Sequence, residues 1–550
     1  MSARPLHIAL LAPAFLPAWQ WELVRRLHAL SAHRVSVLVC PQRLSWQARL
    51  LRQGLNGLCR IDHVLFRSTG QRAHPLLPVG SLPSIRSIYP ESGLPEAEQI
   101  VQIVQIVQQE SPDLVINLLH RKSWPADLYQ GIPAGIWSFC NPADSDLCWT
   151  GVRAFTERER DFFSGIQVDC GPDKPVRLLF TGTSSVELSL CQTTDSALWK
   201  LSAILPSVLA GVDATTDWNA FYDRLHARFA RNWPVRSAAA VQTTAGLLSK
   251  ACARSLLNWS TLLLHKLLFH RHWILLTCRT ETPLHELNQL ERAEHLVPPP
   301  GCFWADPFLL EWQGRQYVFF EEYVFARKKG HLSCMELPPS GGVGACVRVL
   351  ERPYHLSYPF LFEYAGQLYM VPESAENHTV DLYRCEHFPE RWVWVKTLMS
   401  AVEAYDPTLC QHAGRWWMFV NLRHHADSSP HELLYLFSAD SPLAEHWEPH
   451  PENPVNTYAS QARPAGALFT QNGRLYRPSQ NCAGSYGRGL NINQIMEWNR
   501  SRYREQLVRQ YIPAGAASLE GLHTLSFVKG RVVVDGIHVR RRWLSHNEHK

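Results

Sequence analysis

The sequence predicts an open, mainly parallel α/β sheet in residues 1–212 and an all-β five-bladed propeller in residues 272–550, joined by a helical linker over 213–271. Three observations carry this. The chain has 550 residues, whereas single cores stop growing near ~250–300. The first part alternates short apolar runs with helix-period patterns. The last part repeats one strand–turn–strand pattern five times.

In the first part, Ile8–Leu11, Val35–Val39, His63–Phe66, Leu114–Leu119 and Gly135–Phe139 read as strands. Trp19–Leu30, Trp46–Leu55 and Ala97–Glu110 read as helices, the last carrying the triplet Ile-Val-Gln three times and expected to lie buried against the sheet. The opening run His7–Leu16 is expected to be a buried strand and a loop rather than a leader, because the next strand follows at βαβ spacing. No Gly-x-Gly-x-x-Gly follows that strand, so a dinucleotide fingerprint is missing.

The segment 213–271 is helical in pattern, with a leucine-rich stretch over 238–269 that includes Lys250, Arg254, His265 and Lys266. Two readings stand. One is a pair of packed linker helices; the other is an interfacial helix making peripheral contact with a membrane. No run of 18 uncharged apolar residues occurs, so no membrane span is expected.

The repeat aligns Asp306-Pro-Phe-Leu, Tyr358-Pro-Phe-Leu, Asp406-Pro-Thr-Leu, Arg463-Pro-Ala-Gly and Leu522-His-Thr-Leu, each followed by a turn glycine at 314, 366, 414, 473 or 530. The glycine intervals are 52, 48, 59 and 57 residues, the size of a four-stranded blade. The glycine supplies a positive φ for a tight hairpin. Leu332–Leu337, Thr379–Cys385, Leu433–Ser438 and Asn491–Glu497 supply further strands, and His272–Arg279 is expected to complete the last blade.

Inner strands of a propeller start near its axis, so the residue before each proline faces the funnel. That places Asp306, Tyr358, Asp406 and Arg463 at one mouth, with Glu321-Glu322, Glu373, Asn421, Gln480-Asn481, Asp535 and His538 at the ends of the second strands. Carboxylates, an arginine and amides in one concavity suit a polyhydroxylated ligand, and two carboxylates can do acid/base work at a glycosidic bond. Asp-Pro can also be a turn device, in which the aspartate caps backbone N–H groups. Asp306, Glu373 and Asp406 are the catalytic candidates. Trp304, Glu322, Tyr358, Arg463, Gln480, Asp535 and His538 are the substrate-binding candidates.

Composition narrows the partners. The 54 basic and 49 acidic residues give a net charge of +5 with no dense basic face, which argues against nucleic acid. Fourteen cysteines form no Cys-x-x-Cys pair, so neither a metal nor another cofactor is expected, and reduced thiols in a cytoplasmic protein, peripheral to a membrane on the interfacial-helix reading, are the expectation. The oligomeric state stays open.

Trp304-Ala-Asp-Pro-Phe-Leu and its repeats resemble the five-bladed propellers of arabinanases, β-xylosidases and invertase-like glycosidases. They resemble more closely the propeller domain at the N-terminus of glucosamine inositolphosphorylceramide transferases. The glycosidases carry Asp, Asp and Glu on blades one to three. Asp306 fits the first place, but Glu373 and Asp406 follow in the wrong order, which argues against hydrolysis. In the transferases, glycosyl transfer belongs to a separate domain with no evident counterpart here.

Residues 5–210 resemble a folate-dependent formyltransferase through Pro112–Leu119, Gly135–Cys140, Gly151–Phe155 and Gly165–Val168. That family's Asn-x-His pair is replaced by Ser138-Phe139-Cys140, and Asp173 stands where its aspartate belongs. Losing Asn and His removes the groups that formyl transfer needs, so no formyl transfer is expected.

The resemblances imply a carbohydrate-active protein of cell-surface glycan or glycolipid biosynthesis. It would act by glycosyl transfer or hydrolysis on a sugar, glycolipid or nucleotide sugar held at the funnel. The alternatives are a non-catalytic sugar-binding or scaffold protein built from two degenerate enzyme folds and, further off, a formyl or acyl transferase.

Overall fold

The computed structural model describes residues 4–541 except 31–32, 41–45, 66–75, 79–85, 89–95, 120, 122, 142–146, 211, 230–243, 280–292, 340, 514–518 and 529. They form two compact units, residues 1–259 with 424–429, and residues 260–423 with 430–550.

The first unit is α/β. Its strands are β1 (His7–Ala12), β2 (Arg34–Val39), β3 (Arg86–Ile88), β4 (Leu114–Asn117), β5 (Ile136–Cys140), β6 (Asp161–Asp169) and β7 (Arg177–Ser185). They make one sheet in the order β3-β2-β1-β4-β5-β6-β7, parallel as far as β5 and antiparallel beyond it. Every residue of β1 and β4 is buried, as expected of parallel strands covered on both faces. The helices are α1 (Ala18–Ala29), α2 (Trp46–Leu65), α3 (Glu96–Glu110), α4 (Leu147–Glu157), α5 (Leu190–Leu209), α6 (Trp218–Phe229) and α7 (Thr244–Leu268), whose residues from Ser260 onward belong to the second unit.

Some expectations differ from the structure. His63–Leu65 are helical, the final turn of α2, and Phe66 lies outside the described residues. The helix persists because Leu55, Leu58 and Cys59 repeat at helical spacing and pack with Phe155, Leu190 and Cys191. Asp62, fully buried, adds hydrogen bonds from Ser189 Oγ (2.5 Å) and Cys191 N (2.9 Å). Only one face of α3 is buried: Ile103 and Val107 are covered, whereas Val101 is 55% exposed.

Within 213–271, α6 and the start of α7 are packed helices of the first unit. Tyr222 of α6 donates to Ala134 O (2.6 Å) and accepts from Trp137 Nε1 (3.2 Å), and Leu247 and Ala251 of α7 join the cluster around Leu55 and Phe155. The formyltransferase-like positions do not converge either. The β5–β6 register sets Ile136 opposite Asp169 and Cys140 opposite Gly165. Asp173 is exposed in the turn beyond Asp169, at the opposite end of β5 from Cys140, on the order of 13 Å along the strand. Ser138 and Cys140 are half-buried strand residues.

The second unit is the five-bladed propeller, with five four-stranded antiparallel sheets. It begins with β8 (Phe269–Cys278) and β9 (Glu294–Leu296). Blade one is β10 (Cys302–Trp312), β11 (Arg315–Val324), β12 (Lys329–Glu336) and β13 (Val347–Leu350). Blade two is β14 (Ser357–Tyr364), β15 (Gln367–Glu373), β16 (Thr379–His387) and β17 (Arg391–Ser400). Blade three is β18 (Glu403–His412), β19 (Arg415–Arg423), β20 (Leu434–Ala439) and β21 (Glu448–Pro449). Blade four is β22 (Phe469–Gln471), β23 (Arg474–Asn481), β24 (Gly489–Trp498) and β25 (Tyr503–Tyr511).

Blade five takes β26 (Leu519–Val528) and β27 (Arg531–Arg541) from the end of the chain and β8 and β9 from the start of the unit. The pairing of β8 with β27, from Phe269↔Arg541 to Cys278↔Val532, closes the ring without an open inner edge. The turn glycines have φ from +71° to +83°. In four of the five hairpins the preceding residue (Gln313, Ala365, Ala413 or Asn472) is left-handed as well, which makes primed turns of the kind that match strand twist.

Ile274 and Leu276 of β8 are fully buried with Leu490, Leu522 and Val534. Leu276→Ala is expected to cost about 2–5 kcal/mol, read as a lower denaturant midpoint at unchanged slope; an unchanged midpoint would mean that the closing strand carries no stability.

Candidate functional site

The repeat positions its chemistry through a bulge. Inner-strand pairing slips between Ala305 and Phe308, Ser357 and Phe360, Tyr405 and Thr408, and Leu522 and Leu525. In the first three the residue before proline is left-handed, with φ +52° at Asp306, +45° at Tyr358 and +52° at Asp406. Such backbone is strained by about 1–3 kcal/mol per residue, and a bulge re-aims the side chain it carries.

Acids of neighbouring blades hold these bulges. Asp535 of blade five accepts from Asp306 N of blade one (2.8 Å), and also from His523 N (3.1 Å) and Thr524 N (2.8 Å). Glu373 of blade two accepts from Asp406 N of blade three (3.2 Å).

Two clusters result. In one, Arg463 Nε donates to Asp406 Oδ2 (2.5 Å), and Nη2 donates to Asp406 Oδ1 (3.1 Å) and Glu373 Oε2 (3.2 Å). Gln480 Nε2 adds a bond to Asp406 Oδ2 (2.7 Å). Arg463 Nη1 meets His431 Nδ1 at 2.8 Å. Burial, then the Arg463 charge, holds His431 well below its ordinary pKa. A neutral ring can accept at Nδ1, so Arg463 donates there and the proton sits on Nε2. Burial and the Asp406 charge push the Glu373 carboxyl well up, against the pull of Arg463. The guanidinium lies between the rings of Tyr405 (5.3 Å) and Tyr486 (5.1 Å).

In the other cluster, Thr524 Oγ1 donates to Asp306 Oδ1 (2.7 Å), and His523 pairs with Asp306 Oδ1 (3.3 Å) and Asp535 Oδ2 (2.5 Å). Burial opposes a charge on His523, but Asp535 and Asp306 outweigh it and raise its pKa. Burial, with help from Asp406 and Asp535, lifts the Asp306 carboxyl to about 6 despite His523. Ligand atoms of Asp306, His523 and Asp535 lie within 4.8 Å of one another. His523 thus bridges two carboxylates, one of them, Asp535, bonded to three backbone N–H groups.

Glu321 ends the second strand of blade one. Burial, then Asp306 and Glu373, raises its pKa far above the usual carboxylate range. Its Oε1 is buried without a hydrogen-bond partner, 3.5 Å from His355 Nε2. His355 Nδ1 accepts from Gly330 N (3.0 Å), which leaves its proton on Nε2, toward Glu321. Around these groups stand aromatic rings. Tyr486, 39% exposed, stacks on His431 (4.9 Å) and meets the His523 ring edge-on (5.4 Å), and Trp273 stacks on His523 (4.0 Å).

Of the residues singled out by sequence, Asp306, Glu373, Asp406, Arg463, Gln480 and Asp535 meet in these clusters. Tyr358 is buried and braces the blades, sharing a hydrogen bond with Thr408 Oγ1 (2.8 Å) and accepting from Gly466 N (2.7 Å). Three others turn elsewhere. Trp304 is a core residue against Phe320 (5.1 Å) and Leu275. Glu322 faces away from Glu321, as successive strand residues must, and binds Ser333 Oγ (2.8 Å) and His331 (3.2 Å). His538 lies on the opposite face of β27 from Asp535, edge-on to His272 (5.5 Å).

Sequence reasoning passed over Glu321 as a site residue, along with His523, His431, Tyr405, Tyr486 and Trp273. The repeat held a signal for two of them. Glu321, Glu373, Asn421 and Gln480 all fall seven positions after their turn glycine, and His523 occupies the proline slot of the fifth copy. His431 and Tyr486 come from loops outside the repeat and carry no such mark.

Residues 293–519 match the family described as Glucosamine inositolphosphorylceramide transferase 1, N-terminal. Glucosamine inositolphosphorylceramide transferase 1 of Oryza sativa subsp. japonica is 33% identical over 213 residues, which cover 38% of this chain and 28% of that protein. The chain thus spans about 28% of the length of this curated relative. Among solved structures, the catalytic domain of the Coprinopsis cinerea GH62 α-L-arabinofuranosidase is 11% identical at a TM-score of 0.34, covering 42% of this chain and 90% of that one. Glycinamide ribonucleotide transformylase 1 from Symbiobacterium toebii is 11% identical at 0.26, covering 41% and 90%. At these scores neither structure carries an argument about chemistry.

Arg463→Ala is expected to destabilise the protein by about 3–5 kcal/mol by leaving the buried Asp406 carboxylate without its bidentate partner; an unchanged denaturant midpoint would remove the ion-pair account.

The Asp306 carboxyl moves from an ordinary 3.8 to about 6. A raised carboxyl favours the protonated folded state, so its contribution is full below about pH 4 and is lost as the pH rises to about 6. Relative to Asp306→Asn, the wild-type protein should lose stability across that window and run parallel above it; parallel curves throughout would contradict the shift.

Proposed function

We propose that this protein serves glycolipid or cell-surface glycan biosynthesis, and that its propeller funnel binds a sugar group without hydrolysing it. One observation carries the reading: Arg463 holds Asp406 in a bidentate ion pair and also bonds Glu373, in a buried cluster completed by Gln480 and His431. A carboxylate held by a bidentate guanidinium is a poor nucleophile and a poor base. What stays accessible is an aromatic rim, with Tyr486 and Tyr405 over a polar floor, and that suits stacking on a pyranose face with hydrogen bonds to hydroxyls. The family match supports a glycolipid or nucleotide-sugar ligand, since the relative's name makes it a transferase concerned with an inositolphosphorylceramide.

Catalysis is the second reading. It is favoured by Asp306, whose pKa of about 6 suits proton exchange near neutral pH.

The test is a thermal-shift panel of nucleotide sugars, inositol phosphates, neutral oligosaccharides and a reduced folate, with product analysis. A ligand at ~100 times its dissociation constant adds about 2.7 kcal/mol. The expected result is a shift with a sugar ligand, lost in Tyr486→Ala, and no turnover. Turnover abolished by Asp306→Asn with binding retained would establish the catalytic reading instead, and the absence of a shift with any sugar would rule out the funnel as a sugar site.

A further inference from the structure

The second half of α7 is exposed and apolar. Leu256, Leu263 and Leu267 are 59%, 60% and 57% exposed, and Leu257, Leu264 and Leu268 beside them are 48%, 56% and 39% exposed. At 100° per residue these six fall within one arc of the helix, about 140° wide. The buried residues Leu247, Ala251 and Ser255 precede this stretch on the other side. Trp259 Nε1, on the buried side of the helix, donates to Asp62 Oδ1 (3.1 Å). Soluble proteins rarely leave so large an apolar face without a partner.

We propose that this face lies on an anionic lipid surface, with α7 in the plane of the interface. Charge selects the occupant. α7 contains Lys250, Arg254 and Lys266 and no Asp or Glu, and Arg271, paired with Glu520 (3.0 Å), follows directly. Leucines on one arc with basic residues toward its edges are the composition of an interfacial helix. A second copy of the chain fits poorly, because a two-fold pairing of this face would bring the lysines and arginines of both copies together with no acidic residue on either helix. No helix among the described residues is long and apolar enough to cross a bilayer. The site starts at Leu256, narrower than 238–269: 238–243 lie outside the described residues, and the first turns of α7 are packed into the protein. The inference does not depend on what the funnel binds.

The experiment is vesicle flotation of the full chain with phosphatidylcholine alone and with added phosphatidylglycerol, alongside light scattering. The expected result is binding to the phosphatidylglycerol vesicles that weakens with salt. The double variant Leu263→Ser/Leu267→Ser should lower that partitioning about ten-fold or more. Lys266→Gln should lower it by about a few fold and flatten the salt dependence. Both variants change exposed side chains, so their thermal unfolding should match the wild-type protein, and Leu263→Ala serves if the double variant does not fold. Equal vesicle binding by wild-type and leucine variants would overturn the proposal. So would a wild-type dimer that the leucine variants break in a protein that ignores vesicles.

Discussion

Two junctions of the propeller rest on the same bond: a carboxylate on one blade's second strand accepts the backbone N–H of a strained residue in the next blade. Asp535 does this for Asp306, and Glu373 does it for Asp406. Each bond ties two blades together near the axis and compensates a left-handed residue that a non-glycine chain rarely adopts. Of the carboxylates that crowd the axis, Asp535 and Glu373 serve to hold the ring in this way.

That crowding has an electrostatic consequence. Asp306, Glu321, Glu373, Asp406 and Asp535 share a poorly solvated space with one arginine and one protonated histidine. Like charges at close range cannot all ionise. The cluster therefore divides: Arg463 pairs with Asp406 and also bonds Glu373, His523 pairs with Asp306 and Asp535, and burial raises the Glu373 and Glu321 carboxyls well above the ordinary range. The division depends on Arg463, which stands in the fourth copy of the repeat at the position that Asp306 and Asp406 hold in the first and third.

Much of this was legible in advance. The five copies were readable because each needs the same left-handed hairpin and the same inward turn, and those needs leave glycine and Xaa-Pro at fixed spacing. In four copies the polar side chain seven residues after the glycine carried the same kind of signal. Glu322 and His538 were misassigned because spacing locates a strand end but not which of two neighbouring side chains faces the axis; a single step of register reverses every side chain. Trp304 looked like a sugar platform because an aromatic beside an aspartate suits either stacking or packing, and only burial separates the two. The end of α2 was missed because its helical continuation is paid for by contacts between Asp62, Ser189 and Cys191, which are far apart in sequence.

By itself the sequence determined the two-part architecture, the number of blades, the closing strand and the inventory of polar groups near the axis, because hydrophobic period, turn glycines and repeat length are local properties of the chain. Tertiary structure alone decided the pairing of those groups, the protonation that follows from it, the contribution of His431, Tyr486 and Trp273, and which half of α7 stays uncovered. Each of these depends on distances between residues tens to hundreds of positions apart, and on how much water remains between them.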